Sequence, residues 1–173
     1  MSSLVLVEGE SDEGFIKGLA ERLSLRIKIL KMRGNRPNKA VRLIKAVLES
    51  QSFSKAIILK DQHSYPEELI QEKLLQIREE ISKTIKTDRK VFVHGIIVKK
   101  AIEAWILAGL GVNNPENIDD PDKYLDEILR RRRRGIYIKS CEKAKHLAME
   151  IDLYQAMKHS NQLKEFIDFL HDP

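Results

Sequence analysis

Four short apolar runs, each separated from the next by a stretch of helical periodicity, constrain this chain more than any other feature. Leu4-Val5-Leu6-Val7 has no polar alternation and two β-branched valines, the pattern of a strand buried on both faces. Ala56-Ile57-Ile58-Leu59 and Val91 to Val98 read the same way. Leu25, Ile27 and Ile29 alternate with Arg26 and Lys28, which fits a half-exposed strand near a sheet edge. Between them, Phe15, Ile16, Leu19 and Leu23 recur at helical spacing after a cap at Ser11 or Asp12. Asn38 can cap a helix with Val41, Ile44, Val47 and Leu48 on one face. Pro66 opens a helix to about Ile85. Ala101–Leu110 reads as another helix, carrying Glu103 and Trp105.

Buried strands alternating with amphipathic helices require a parallel sheet covered on both faces. The expected fold class is therefore α/β, with about four parallel strands. Beyond Gly111 the strands stop. Asn113-Asn114-Pro115 and Asp119-Asp120-Pro121 mark a loop, and helices are expected at about 122–134, 140–151 and 161–171. Residues 1–111 are thus read as an α/β core, and 112–173 as a helical extension packed on it in one compact unit.

The chain has 173 residues and a formal charge of +5, too small a sum to define a partner. Its distribution says more. Residues 1–60 carry twelve basic against six acidic side chains, and residues 61–120 carry eight against eleven. Lys17 to Lys45 holds ten bases and one acid, Glu21. One cysteine, Cys141, excludes an intramolecular disulfide and a cysteine-rich zinc site. The apolar runs are too short to span a membrane. Met1-Ser2-Ser3 leads straight into Leu4, without the basic region and long apolar stretch of a signal peptide. A cytoplasmic protein that does not engage membranes is expected.

Ligands of open parallel sheets gather beyond the carboxyl ends of the strands. Here the first strand ends in Glu8 and Glu10, and the third in Asp61 and His63, within the polar turn Lys60-Asp61-Gln62-His63-Ser64-Tyr65. Residues i and i+2 of an extended backbone point the same way, so Asp61 and His63 face one site, within reach of Glu8. Carboxylates converging from two strands repel unless a cation lies between them. Oxygen ligands favour Mg²⁺, and an imidazole shifts the preference towards Mn²⁺. The alternative is that acids after a strand serve only as helix caps and first-turn residues, which is the reading given to Asp12 and Glu13.

Leu4-Val5-Leu6-Val7-Glu8-Gly9-Glu10-Ser11-Asp12-Glu13 resembles the opening motif of the Toprim domain. Ile58-Leu59-Lys60-Asp61-Gln62-His63 is similar to its second motif, an Asp-x-Asp, with His63 in place of the second aspartate. The resemblance is closer to small prokaryotic Toprim-related proteins, in which a helix carries a motif like Ile102-Glu103-Ala104-Trp105. More distantly it extends to OLD-type nucleases, primases and topoisomerases. It implies a Rossmann-like sheet, a Mg²⁺ or Mn²⁺ cofactor and phosphodiester chemistry on nucleic acid. Glu8 and Asp61 would be catalytic, and Glu8, Asp61, His63 and Glu103 would hold metal. A Toprim-like binding or regulatory module without catalysis, serving a defence or repair system, is the alternative implied by the Asp-x-His departure. Glu103 has its own second reading, a structural bond near its helix start.

Arg33, Arg36, Lys39 and Arg42 follow the second strand and are candidates for phosphate contact, against the plainer reading of a solvated face. Arg130, Arg131, Arg132, Arg133 and Arg134 either bind nucleic-acid phosphate or close a helix at its cation-favouring end, with Gly135 as the stop. A homodimer is a further expectation. No phosphate-binding Gly-x-x-x-x-Gly-Lys loop occurs, and Ser11 and Ser64 lack a histidine partner. His94 reads as a satisfied core histidine. Trp105 reads as core.

Overall fold

The computed structural model describes residues 3–32, 37–50, 53–84 and 91–171. Four strands form one sheet: β1 (Ser3–Val7), β2 (Ile27–Lys31), β3 (Lys55–Asp61) and β4 (Phe92–Val98). Their order is β2-β1-β3-β4, and every pair is parallel. The two central strands are buried throughout, as their unbroken apolar runs require. β2 is half-buried along its length, as its alternation foretells for an edge. It starts at Ile27 rather than Leu25. Ser24 takes a left-handed φ of 53°, and the Leu25 N–H bonds the Ala20 carbonyl at 2.8 Å, so Leu25 still closes the preceding helix.

The strands connect through α1 (Glu10–Arg22), α2 (Pro37–Ser50) and α3 (Glu67–Thr84), and α4 (Ile102–Gly109) follows β4. Alternate strand residues serve two cores. Leu4, Leu6, Ala56 and Ile58 pack with α2 and α3 on one face. Val5, Val7, Ile57, Leu59, Ile96 and Val98 pack on the other with α1, α4 and the C-terminal helices. Those helices are α5 (Pro121–Arg131), α6 (Cys141–Glu150), α7 (Leu153–His159) and α8 (Asn161–His171). Every residue of α4 is buried because the sheet lies on one side and this extension on the other. Trp105 sits between Phe15 and Phe166, each ring centroid 6.0 Å away. Among the described residues no helix is long and apolar enough to cross a membrane.

Several sequence expectations need correction. α5 ends at Arg131, not 134, because Arg132 caps it and Arg133 turns left-handed at φ 56°. α2 begins at Pro37, whose fixed φ and missing N–H suit a first helical position, so Asn38 is not its cap. α1 begins at Glu10 with Gly9 as its cap. α7 was not expected. The Asp152 carboxylate accepts the Gln155 N–H at 3.1 Å and starts it, in a stretch too short to show periodicity. Arg33 and Arg36 lie outside the described residues, as does the expected end of α3 at Ile85.

Two glycines set the distance between α1 and α6. A methyl group on Gly14 would meet the Cys141 carbonyl oxygen at 2.0 Å, and one on Gly18 the Lys145 carbonyl oxygen at 2.5 Å. Only glycine permits so close a crossing. It brings the segment before α6 over the carboxyl end of the sheet, where Tyr137 and Lys139 meet residues of α4.

Candidate metal centre

The strand order places a crevice between β1 and β3. The chain leaves β1 towards β2 on one side and leaves β3 towards β4 on the other, so the connections diverge at the carboxyl ends of these two strands. Glu8 follows β1 and Asp61 ends β3. One ligand atom each from Glu8, Asp61 and His63 lies within 4.8 Å of the other two. His63 Nε2 stands 4.0 Å from Glu8 Oε2 and 4.0 Å from Asp61 Oδ2.

His63 reaches this point by a route that differs from the expected one. Its φ is 50°, so it stands in a left-handed turn and not on an extended strand. Its N–H bonds the Lys100 carbonyl at 2.8 Å, and the Gln62 N–H bonds the Val98 carbonyl at 2.9 Å. These bonds to the end of β4 and the residues after it hold the turn in place. Strand alternation therefore does not bring His63 to the site, although the expected grouping of Glu8, Asp61 and His63 is present.

Lys60 was read as part of a polar turn, but it is a strand residue, 3% exposed. Its ammonium is ion-paired with Glu8 Oε1. Register explains the pair: Leu6 sits opposite Ile58, so two residues further on Glu8 comes opposite Lys60. Burying a lysine is tolerable only with such a partner. Glu8 thus gives one oxygen to Lys60 and turns the other towards His63.

Asp61 alternates to the opposite face and meets a different environment. Burial pushes its carboxyl well above the ordinary carboxylate range; the charges of Asp12, Glu8 and Glu103 push the same way, and Lys139 pulls it back. Asp12 is also buried. It accepts the Gly9 N–H at 2.7 Å, so it serves the helix start as the third helical residue, the one that bonds back in a capping box, and not as the cap itself. It does more than that. Burial raises it to about 6, against the Gly9 hydrogen bond and with help from Glu103 and Glu8. The sequence offered no signal to separate Asp12 from an ordinary first-turn acid.

Glu103 is 1% exposed, and its ligand atoms are not in the Glu8–Asp61–His63 group. The Tyr137 hydroxyl donates to its Oε1 at 2.7 Å, and Lys139 Nζ lies 4.0 Å from the same atom. Burial foremost, then the Glu103 charge, holds the Tyr137 phenol above its ordinary range. Burial works against the Lys139 ammonium, but Glu103 and Asp122, the latter at 3.1 Å, outweigh it and raise its pKa. Neither Tyr137 nor Lys139 was singled out from the sequence. Their loop reaches the site only because α6 packs on α1.

The described basic candidates are exposed or partly engaged in ion pairs. Lys39 and Arg42 are exposed on α2. Arg130 pairs with Asp126 at 2.7 Å, Arg131 lies 3.9 Å from Glu127, and Arg134 pairs with Glu150. Arg132 and Arg133 are exposed at the end of α5. The run does close a helix. His94 is not a core residue: it stands on β4, stacks on Phe169 at 5.0 Å and pairs with Glu165 at 2.7 Å. Comparison with family models, with curated proteins and with solved structures finds no match in any of the three.

Proposed function

We propose that the chain is a Toprim-like, divalent-metal-dependent phosphodiester hydrolase or nucleotidyl-transfer protein acting on nucleic acid. The observation that carries this reading is the convergence of Glu8, Asp61 and His63 at the crevice between β1 and β3. The donor set fits Mg²⁺ or Mn²⁺: two carboxylate oxygens and an imidazole, with Asp12 and Glu103 adding negative charge behind them. Such an ion would supply Lewis acidity at a phosphate oxygen and neutralise charge. Glu8 Oε2, the oxygen turned from Lys60, is placed to accept a proton from an attacking water or hydroxyl. Asp61 is the principal ligand, with His63 beside it. Glu103 holds Tyr137 and Lys139 over the rim, and so acts by positioning. The arginines of the α5 terminus and the bases after β2 would contact phosphate.

A non-catalytic Toprim-like module has one observation in its favour. The Lys60 ammonium already meets the charge of Glu8. Calorimetric titration with Mn²⁺ and Mg²⁺, followed by cleavage assays on labelled DNA and RNA, separates the two. The enzyme reading expects metal binding and cleavage, and Glu8→Gln should lower cleavage at least about 100-fold while leaving the circular dichroism spectrum unchanged. Metal binding without cleavage supports the module; no metal binding defeats the enzyme.

A further inference from the structure

The two edges of the sheet are finished differently. β2 carries Lys28 and Lys31 within five residues, the charged finish that discourages pairing with another chain. β4 runs Phe92-Val93-His94-Gly95-Ile96-Ile97-Val98, with no lysine, arginine, acid or proline. Among the described residues β4 pairs only with β3, so the backbone groups on its outer side have no strand partner. A groove of about 640 Å³ runs between this edge and α3 and reaches α8. A second, of about 780 Å³, lies between the start of β4 and α8, and Glu165 lines both. Gln162, which lines the first groove, has a buried Oε1 with no hydrogen-bond partner among the described residues.

We propose that β4 is the seam of a twofold dimer, pairing antiparallel with β4 of a second copy of this chain across Gly95. Gly95 is the middle residue of β4. A methyl group on it would meet Leu74 at 3.1 Å, so the middle of α3 lies level with the middle of β4. A twofold axis passing midway between Gly95 and its copy therefore sets the two α3 helices side by side and antiparallel, centred near Leu75. Leu75 is 53% exposed, an apolar residue that a monomer leaves in water. It would meet its own copy. Glu72 and Arg78 stand three residues before and after it, and neither has an ion pair among the described residues. The antiparallel arrangement brings Glu72 of one copy to Arg78 of the other, twice. This self-complementary charge favours a second copy over a foreign strand. The proposal does not depend on the metal-site reading, since β4's outer edge and the β1–β3 crevice are separate features.

Sedimentation velocity of the full chain at about 100 µM, a concentration that reveals micromolar association, should give twice the chain mass. Glu72→Arg and Arg78→Glu should each weaken association at least about tenfold. The double exchange, Glu72→Arg with Arg78→Glu, should restore it, because the pairs re-form with signs reversed. Leu75→Cys with Cys141→Ser should give a disulfide-linked dimer under mild oxidation. Circular dichroism checks that each surface variant is folded. A monomer at that concentration, leaving the edge to another protein or to water, overturns the proposal. So does a dimer that ignores both charge reversals and is not linked through Leu75→Cys.

Discussion

Glu8 and Asp61 end neighbouring strands, yet the structure meets their charges in different ways. Glu8 belongs to the face of the sheet that α2 and α3 cover, and a lysine from the next strand neutralises it. Asp61 belongs to the other face, where the charges of Asp12 and Glu103 act on it, and Lys139, which opposes them, is shared with Asp122. One half of the site is balanced from within the sheet. The other half is left with excess negative charge that only a proton or an external cation can relieve.

The largest effect on stability is expected at Lys60, the cation that balances Glu8. Lys60→Met removes the internal cation and leaves Glu8 partly buried without a partner. A loss of about 3 kcal/mol is expected, seen as a fall of roughly 10 °C in melting temperature. If urea unfolding shows no loss, the pair is not what holds Glu8. Asp61→Asn should have the opposite sign. Removing an acid that the fold presses to stay protonated stabilises the metal-free chain at neutral pH. A rise of about 3 °C, what ~1 kcal/mol produces in a chain of this size, is expected, together with much weaker Mn²⁺ binding. Equal destabilisation by both variants would erase the distinction between the halves.

The pH dependence follows the same asymmetry. Asp12 is held near 6 against an ordinary value of 3.8, so the folded chain binds its proton more tightly than the unfolded chain does. Its contribution to stability is greatest below about pH 4 and is lost as pH rises through 6. Asp61, also raised, acts in the same direction. Calorimetric melting of the metal-free protein should therefore show stability falling between about pH 4 and pH 7, and saturating Mn²⁺ should flatten that slope. An unchanged slope with metal would mean the ion binds away from these acids. A stability effect of similar size to that of Asp61→Asn, but opposite in sign and without its loss of metal affinity, is expected at Tyr137→Phe, which removes one hydrogen bond to Glu103. About 1 kcal/mol should be lost, with the midpoint of Mn²⁺ binding little changed.

Much of the fold was legible because its signals are local. Leu4–Val7 and Ala56–Leu59 can be buried on both faces only as inner strands of a parallel sheet, and β2 declared its edge position through Arg26 and Lys28. Glu8, Asp61 and His63 were legible as a group, since strand ends in such a sheet share one rim. Lys60 was not. Whether a lysine after an apolar run is a solvated turn residue or a buried counter-ion depends on which residue stands opposite on another strand, and register leaves no mark in one sequence. Tyr137 and Lys139 were hidden for a related reason. They lie more than thirty positions beyond Glu103, and meet it through the crossing that Gly14 and Gly18 permit.

The sequence by itself determined which segments become strands and, α7 apart, which become helices, and that acids cluster at strand ends. These follow from hydrophobic period and turn chemistry, which act over a few residues. The tertiary structure alone decided which charges meet. It paired Glu8 with Lys60, gathered Asp12 and Glu103 behind Asp61, and left the outer edge of β4 without a strand partner among the described residues. Those outcomes depend on strand order, register and the packing of the C-terminal helices, and they fix how each charge is solvated.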